Sequence, residues 1–201
     1  MHAAVMALGL VVAQTGATDA LKSRDAEIRK ALPPGNQPIA ETKKAKLAAQ
    51  LTQSVDLPGM AHDAMGKRWE ELSNTGRAKY VAAFSAFFRK ASEGQIDSYR
   101  NSTITYDKET ATGDDVQVST TLTIYPADAG VAGSSSGEPT PVVYTLRREG
   151  AKYKIVDITI DGASTVESYR SSFGKIFDKD GVDGVIAKLH ERTLHPVDDK
   201  N

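Results

Sequence analysis

The sequence contains no cysteine and no marked excess of either charge. Without cysteine the chain has no disulfide framework, no redox-active Cys-x-x-Cys pair and no thiolate metal site. The 25 Lys and Arg residues nearly balance the 26 Asp and Glu residues, and the net charge is -1. This balance argues against a basic stripe that binds nucleic acid and against an acidic tail. The absence of cysteine is compatible with an oxidising compartment, where a stray thiol is a liability.

The common catalytic and cofactor-binding motifs are also missing. The histidines are scattered and show no H-E-x-x-H spacing, and no glycine-rich phosphate-binding loop is present. Residues 133–137 (GSSSG) formally match G-x-S-x-G. A nucleophile elbow needs a strand before this motif and a helix after it, whereas here it lies inside a Gly- and Ser-rich stretch. We therefore expect no catalytic residue, no metal site and no cofactor.

Long hydrophobic runs are absent too, and the longest, residues 3–13 (AAVMALGLVVA), has a special position. A transmembrane helix needs about 20 apolar residues, so this run is too short to span a bilayer. It fits the apolar region of a secretory signal, followed by small residues, although a basic segment does not precede it. A buried N-terminal helix is the alternative. We expect a signal-peptide remnant over 1–17, a single domain over 18–195 and a frayed tail over 196–201.

The hydrophobic period of the remaining chain changes once from helical to two-fold. It predicts helices over 18–32, with Thr18 as N-cap, and over 39–54, short helical pieces over 60–65 and 67–72, and a helix over 74–92 with a wide apolar face. Residues 103–110, 115–125, 141–149 and 153–160 read as strands. Helices over 164–178 and 182–193 follow, and residues 127–140 form a long loop. This order predicts an α+β fold, with helices packed on one curved four-stranded antiparallel sheet.

The last predicted strand leads directly into a helix with a capping signal. Ser164 stands three residues before Glu167, the spacing of a capping box. Inside the strand, Asp157 shares a face with Ile155 if the alternation is regular. A carboxylate at such a position needs a partner, and Arg170 on the following helix is the candidate. We favour a structural Asp157–Arg170 ion pair over a general base, because a nearby arginine lowers a carboxylate pKa.

Several segments together resemble one protein family. They are residues 55–61 (VDLPGMA), 66–69 (GKRW), 72–73 (LS), 77–87, 142–146 (VVYTL), 153–158 (YKIVDI), 162–164 (GAS), 169–173 and 181–186 (GVDGVI). In this order and spacing the set resembles the periplasmic phospholipid-binding proteins of the Mla lipid-transport system, the MlaC-type or toluene-tolerance proteins, over roughly residues 19–192. Tyr153 replaces the tryptophan that is usual in the family, and the insertion at 127–140 is longer than expected.

The resemblance implies a cone-like (NTF2-like) fold with an apolar internal cavity and a non-enzymatic role. The protein would be a periplasmic monomer that carries a phospholipid as cargo, with its tails between sheet and helices and its head group near solvent. Its partners would be an inner-membrane MCE-type ABC transporter complex and an outer-membrane lipoprotein complex, and it would maintain the lipid asymmetry of the outer membrane. The expected lipid-binding residues are Trp69, Phe84, Phe87, Phe88, Leu122, Ile124, Val142, Tyr144, Ile155 and Phe173.

Two other classes of function stay open at this stage. One is a small isomerase- or dehydratase-type enzyme on the same scaffold, with Asp157 as base and a Tyr or His beside it in a dry cavity. The other is a structural or adaptor domain, whose interior would be filled by side chains. Trp69, the single tryptophan, fits either a core or a cavity wall.

Overall fold

The computed structural model describes residues 16–35, 37–126 and 137–195. Helices fill the first half: α1 Ala17–Ala31, α2 Glu41–Thr52, α3 Leu57–Met65, a 3-10 helix Gly66–Glu71, α4 Asn74–Gly94 and α5 Ile96–Arg100. The strands are β1 Ser102–Thr112, β2 Asp115–Ile124, β3 Glu138–Glu149, β4 Lys152–Ile160 and β5 Ala163–Ser164, and α6 Thr165–Leu194 follows. The predicted signal segment up to residue 15, the loop over 127–136 and the tail from 196 lie outside the described residues.

The strands form one antiparallel sheet in the order β1-β2-β3-β4-β5. The α+β class and the four long strands are confirmed, and the sheet gains a fifth strand that the sequence pattern did not predict. This strand adds only two residues to β4, through the pairs Thr159–Ser164 and Ile160–Ala163. It lies directly before α6, so the chain is still paired to the sheet where this helix begins.

One face of the sheet carries the core. Alternate residues of β2, β3 and β4 point to this face, and α3, α4 and α6 pack over it together with the start of α1. The largest fully buried side chains of this core include Tyr80, Phe84, Phe173 and Leu146. A smaller cluster, which contains Ile28, joins α1 to α2 and α5.

A β-bulge in β4 changes the predicted position of Asp157. Thr145 of β3 lies opposite Asp157, but the next residue, Leu146, lies opposite Ile155. Val156 is therefore the extra residue on β4, and it moves Asp157 off the face that Ile155 occupies. Strict alternation, on which the sequence interpretation depended, fails at this point.

The last helix is bent at a single glycine. The sequence predicted two helices, over 164–178 and 182–193, and the structure has one helical run, Thr165–Leu194. Inside it Gly181 takes φ 64° and ψ -166°, a conformation that residues with a Cβ rarely adopt. The two predicted helices are thus the two arms of α6 on either side of Gly181.

The first helix begins one residue earlier than predicted and is capped from the sheet. Gly16, not Thr18, is the N-cap of α1. The Oε2 atom of Glu109 on β1 accepts hydrogen bonds from the Thr18 backbone N–H at 2.8 Å and from its Oγ1 at 2.6 Å. These bonds, led by the one from the hydroxyl, hold the pKa of Glu109 below its ordinary value.

We predict that Glu109 makes the unfolding free energy sensitive to acid. Because its folded-state pKa is lowered, its stabilisation is complete above the unfolded-state value of about 4.3 and is lost as pH falls through the folded-state value. Thermal melting of Glu109→Gln between about pH 3 and pH 6 should show a shallower decline than the unsubstituted chain. Parallel curves would contradict the assignment. The Arg68-paired carboxylate Asp178, whose pKa is also lowered, is present in both proteins and cancels in the comparison.

Candidate functional site

A cavity of about 350 Å³ lies between the sheet and the helices. Its floor is the inner face of β1, β3 and β4, and its sides come from α1, the end of α2, the end of α4, α5 and the start of α6. The lining is mostly apolar: Leu21, Arg24, Asp25, Ile28, Leu51, Thr52, Ser54, Val55, Phe88, Ala91, Ser92, Gln95, Tyr99, Ile104, Tyr106, Tyr144, Ile155, Ile158, Ile160, Thr165 and Tyr169.

Helix α1 forms one wall because its apolar residues recur at helical spacing. Leu21 and Ile28 are seven residues apart, with Arg24 and Asp25 between them on the same face. Leu21 and Ile28 are buried, while the two charged residues are half-buried. The wall is therefore apolar at both ends and charged in the middle.

An aromatic cluster stands behind the opposite wall. Tyr169 of α6 stacks on Phe173 with centroids 5.4 Å apart and planes at 3°, and Phe84 of α4 meets Tyr169 edge-to-face at 5.5 Å. Phe88 stacks on Phe84 at 6.2 Å. Such pairs stabilise by about 0.5–1.5 kcal/mol beyond their buried area. Phe88 and Tyr169 reach the cavity, and the other rings fix them in place.

A polar cluster ties α1 to α5 and β1 beside the cavity. Arg29 Nε donates to both oxygens of Asp25, at 2.9 and 3.0 Å, and Arg29 Nη1 donates to the Ser102 carbonyl at 3.0 Å. The Tyr99 hydroxyl also donates to Asp25, and the Arg29 guanidinium lies 4.8 Å from the Tyr99 ring centroid. The Asp25 charge, which faces the cavity, is thereby compensated.

Three tyrosines of the cavity, Tyr99, Tyr106 and Tyr144, have a raised pKa and are neutral at physiological pH. Burial raises the pKa of Tyr99, Tyr106 and Tyr144 above the ordinary value. For Tyr99 the hydrogen bond to Asp25 raises the pKa further, because the hydroxyl must keep its proton to donate. None of these hydroxyls is arranged to act as a base near neutral pH.

Of the ten residues predicted to bind lipid, the structure places Phe88, Tyr144 and Ile155 in the cavity lining. Phe84 and Phe173 are buried behind the lining, and Phe87 contacts Tyr169 edge-to-face at 5.7 Å. The apolar face of α4 is wide enough both to contact α6 and to line the cavity. The helical period of its apolar residues does not indicate which of them contact α6 and which line the cavity.

The other four predicted residues lie elsewhere. Trp69, in the 3-10 helix, packs edge-to-face on His62 with centroids 5.0 Å apart, and the Arg77 guanidinium lies 5.2 Å from its ring. Leu122, Ile124 and Val142 belong to the inner face of the sheet but do not line the cavity. Ile124, at the end of β2, is 42% exposed.

The predicted Asp157–Arg170 ion pair is wrong, because each group has other partners. Asp157 Oδ1 accepts from the backbone N–H of Ile158 at 2.8 Å and of Val166 at 3.1 Å, and its Oδ2 accepts from Ser164 Oγ at 2.6 Å. Val166 is in the first turn of α6, so Asp157 caps this helix from the sheet. The bulge at Val156 directs the carboxylate there.

Arg170 contacts a different helix. Its Nε and Nη2 donate to the Asp63 carbonyl at 3.0 and 2.8 Å, and its Nη1 contacts Glu167. Asp63 lies in the last turn of α3, where carbonyls lack helical partners and a cation is favourable. The predicted capping box forms in one direction: Ser164 Oγ accepts the Glu167 N–H at 3.1 Å, while the Glu167 carboxylate pairs with Arg170.

Most of the cavity wall was not predicted from the sequence. Leu21 and Ile28 of α1, and Ile104 and Tyr106 of β1, carried a usable signal, since their spacing matches the period of their elements. The spacing does not show that α1 packs over the sheet face to which the inner residues of β4 point. Tyr99 comes from α5, a helix of five residues that the hydrophobic pattern does not reveal.

Comparison with known protein families identifies the family of this chain. The sequence model described as MlaC protein matches residues 34–191, which is most of the chain. The chain belongs to the MlaC family. The family resemblance inferred from the sequence is thus confirmed. Helix α1 precedes the matched residues, so one wall of the cavity in this MlaC-family chain lies outside the part that the family model covers.

A solved structure shares the fold of this MlaC-family chain. It is a phospholipid-binding protein from Ralstonia solanacearum, in complex with a phospholipid. The similarity has a TM-score of 0.70 at 24% sequence identity, and it covers 90% of this chain and 97% of the other. No curated protein matches the chain.

Two further observations concern metals and membranes. Within residues 16–35, 37–126 and 137–195, no cluster of three or more His, Asp and Glu side chains is placed to hold a metal ion. No helix in this described part combines the length and the hydrophobicity needed to cross a bilayer.

Proposed function

We propose that this MlaC-family chain carries a phospholipid through the periplasm. It would exchange its cargo with an inner-membrane MCE-type ABC transporter complex and an outer-membrane lipoprotein complex, and so maintain the lipid asymmetry of the outer membrane. The single observation that carries the proposal is the cavity of about 350 Å³ with apolar walls between sheet and helices. The phospholipid complex of the Ralstonia solanacearum protein, which has the same fold, supports the choice of cargo.

The energetics of such a cavity suit a reversible carrier. Removing acyl chains from water is favourable by about 0.8 kcal/mol per CH₂, so burying about ten methylenes contributes about 8 kcal/mol. Moving the same chain from a bilayer to an apolar cavity changes little, because both surroundings are apolar. The lipid is therefore protected from water during transit and can still be given up to a membrane complex.

The cavity is small for a lipid with two acyl tails. Ligand cavities for molecules of drug size span about 300–1,000 Å³, and this one, at about 350 Å³, is near the lower limit. A phospholipid with two tails would therefore fill this cavity and extend beyond it.

The geometry favours a carrier over the enzyme alternative. An enzyme with Asp157 as base needs a Tyr or His beside this carboxylate in the cavity. Among the described residues, Asp157 accepts hydrogen bonds from Ser164 and from the backbone of Ile158 and Val166, and it does not line the cavity. An adaptor domain with a filled interior is disfavoured by the cavity itself. The proposed carrier needs no cofactor and no metal.

Protein purified from bacteria should contain close to one phospholipid per chain. The cavity walls would otherwise face water, and bacterial membranes supply the ligand. Organic extraction followed by mass spectrometry and phosphate analysis measures the ratio. An unrelated periplasmic protein purified by the same steps controls for carry-over. Folded protein with no bound lipid, and no transfer of labelled phospholipid between vesicles, would refute the proposal. Hydrolysed or isomerised lipid in the extract would instead favour the enzyme.

A further inference from the structure

A second cavity, of about 470 Å³, adjoins the first and differs from it in chemistry. It lies between α1, the end of α2 and the first residues of β4. Polar and charged side chains dominate its lining, which consists of Ala20, Ser23, Arg24, Glu27, Gln53, Ser54, Ala151, Lys152, Tyr153 and Lys154. The proposed lipid cavity and this polar cavity share two residues, Arg24 and Ser54, so they border each other.

The polar cavity is positively charged although the chain as a whole is nearly neutral. Three cations, Arg24, Lys152 and Lys154, face one carboxylate, Glu27. Glu27 lies 3.0 Å from Arg24 Nη1 and compensates that guanidinium. The charges of the two lysines remain in excess. A half-enclosed site with excess positive charge attracts an anion.

Several donors around this cavity are available to such an anion. The Lys152 ammonium forms no hydrogen bond or ion pair with any described residue. Lys154 Nζ donates to the Gln53 carbonyl at 2.6 Å, and an ammonium group has further donors. Arg24 is already engaged, because its Nη1 donates to Glu27 and its Nη2 donates to Gln50 and Gln53. Its Nε is buried away from the cavity. Arg24 is thus fixed at the boundary of the two cavities, and the free donors are those of the two lysines.

We infer that the polar cavity binds the phosphate group of a lipid whose tails occupy the apolar cavity; this inference rests on the proposed function. An apolar cavity that borders a cationic one matches a molecule whose apolar tails are attached to an anionic group. The phosphodiester carries the same negative charge in every common glycerophospholipid. Lys152 and Lys154 therefore select for the phosphate and not for the group attached to it. The protein should accept different head groups but discriminate against diacylglycerol, which has the same tails and no phosphate.

The test compares two ligands with identical tails. Dioleoyl phosphatidylglycerol and dioleoylglycerol compete, in separate titrations, with a fluorescent acyl probe bound to the full chain. The unsubstituted protein should prefer the phospholipid by at least about tenfold, since hydrogen bonds to charged groups have about this effect on affinity. Lys152→Gln/Lys154→Gln should reduce this preference about tenfold. Lys108→Gln, an exposed β1 lysine without a described side-chain partner, is the matched control and should keep it.

Each other outcome counts against the inference. If the double variant keeps the preference for phospholipid over diacylglycerol, or binds both ligands equally more weakly, the lysines do not recognise the phosphate. Lys152→Gln alone removes no contact in the described structure, so a partial loss of preference there is expected even if the double variant folds poorly. Inorganic phosphate that binds without displacing phospholipid would indicate a site for free anions and overturn the inference. Tight binding of both lipids without preference refutes only the inference, whereas binding of neither refutes the proposed function as well.

Discussion

The Ile158→Trp variant should keep its fold and lose its lipid. Ile158 lies on the inner face of β4 opposite Tyr144, and it lines the cavity. Inserting a large ring into a well-packed core costs about 1–3 kcal/mol, but here the cavity of about 350 Å³ absorbs the added volume. Phospholipid that copurifies with the variant should fall at least about tenfold, because tails and indole compete for the same space. The midpoint of thermal unfolding should change by only a few degrees.

Val142→Trp is the matched control on the neighbouring strand. Val142 lies opposite Ile160 of β4, is 3% exposed and does not line the cavity. Its substitution should therefore destabilise the fold by about 1–3 kcal/mol. Leu122 and Val142 were among the ten residues that the sequence predicted to bind lipid, and neither lines the cavity. If the Ile158→Trp protein still contains about one phospholipid per chain, the tails bind outside this cavity.

Replacing Asp157 by alanine should lower the free energy of unfolding by about 2–3 kcal/mol. The substitution removes the acceptor of the Val166 N–H at 3.1 Å and of Ser164 Oγ at 2.6 Å. Loss of a helix cap costs about 0.5–2 kcal/mol, and a half-buried donor left without a partner adds to this. For a chain of this size the unfolding midpoint should fall by about 4–12 °C. Asp157→Asn should cost less, because its amide oxygen can still accept one of these bonds.

Asp107→Ala serves as the control for Asp157. Asp107 is another carboxylate of the sheet, but it is exposed, and it accepts one hydrogen bond from Thr121 at 2.9 Å. Its removal should change the unfolding free energy by no more than about 0.5 kcal/mol. Equal melting temperatures for Asp157→Ala and Asp107→Ala would contradict the capping role. An Asp157→Ala protein with full stability and altered lipid content would point back to a function in the cavity.

The wrong prediction of an Asp157–Arg170 ion pair shows a limit of inference from the sequence pattern. A partner for Asp157 was correctly required, since a carboxylate inside a strand cannot stay unsatisfied. The partner was misassigned because one extra residue, Val156, turned the side chain toward the first turn of α6. A bulge depends on how two strands pair, so the sequence of β4 alone does not indicate the bulge at Val156.

The sequence by itself determined the α+β class, four long strands, the cap at Ser164 and the family. These follow from local period, turn chemistry and ordered motifs, which act over a few residues. Only the tertiary structure decided which apolar residues face a cavity and which face another helix. The rings of Phe84 and Phe88 lie on one apolar face of α4, yet only Phe88 reaches the cavity, because α6 covers the rest of that face. A cavity is the space that packed elements leave unfilled, and that space depends on contacts between residues far apart in the chain.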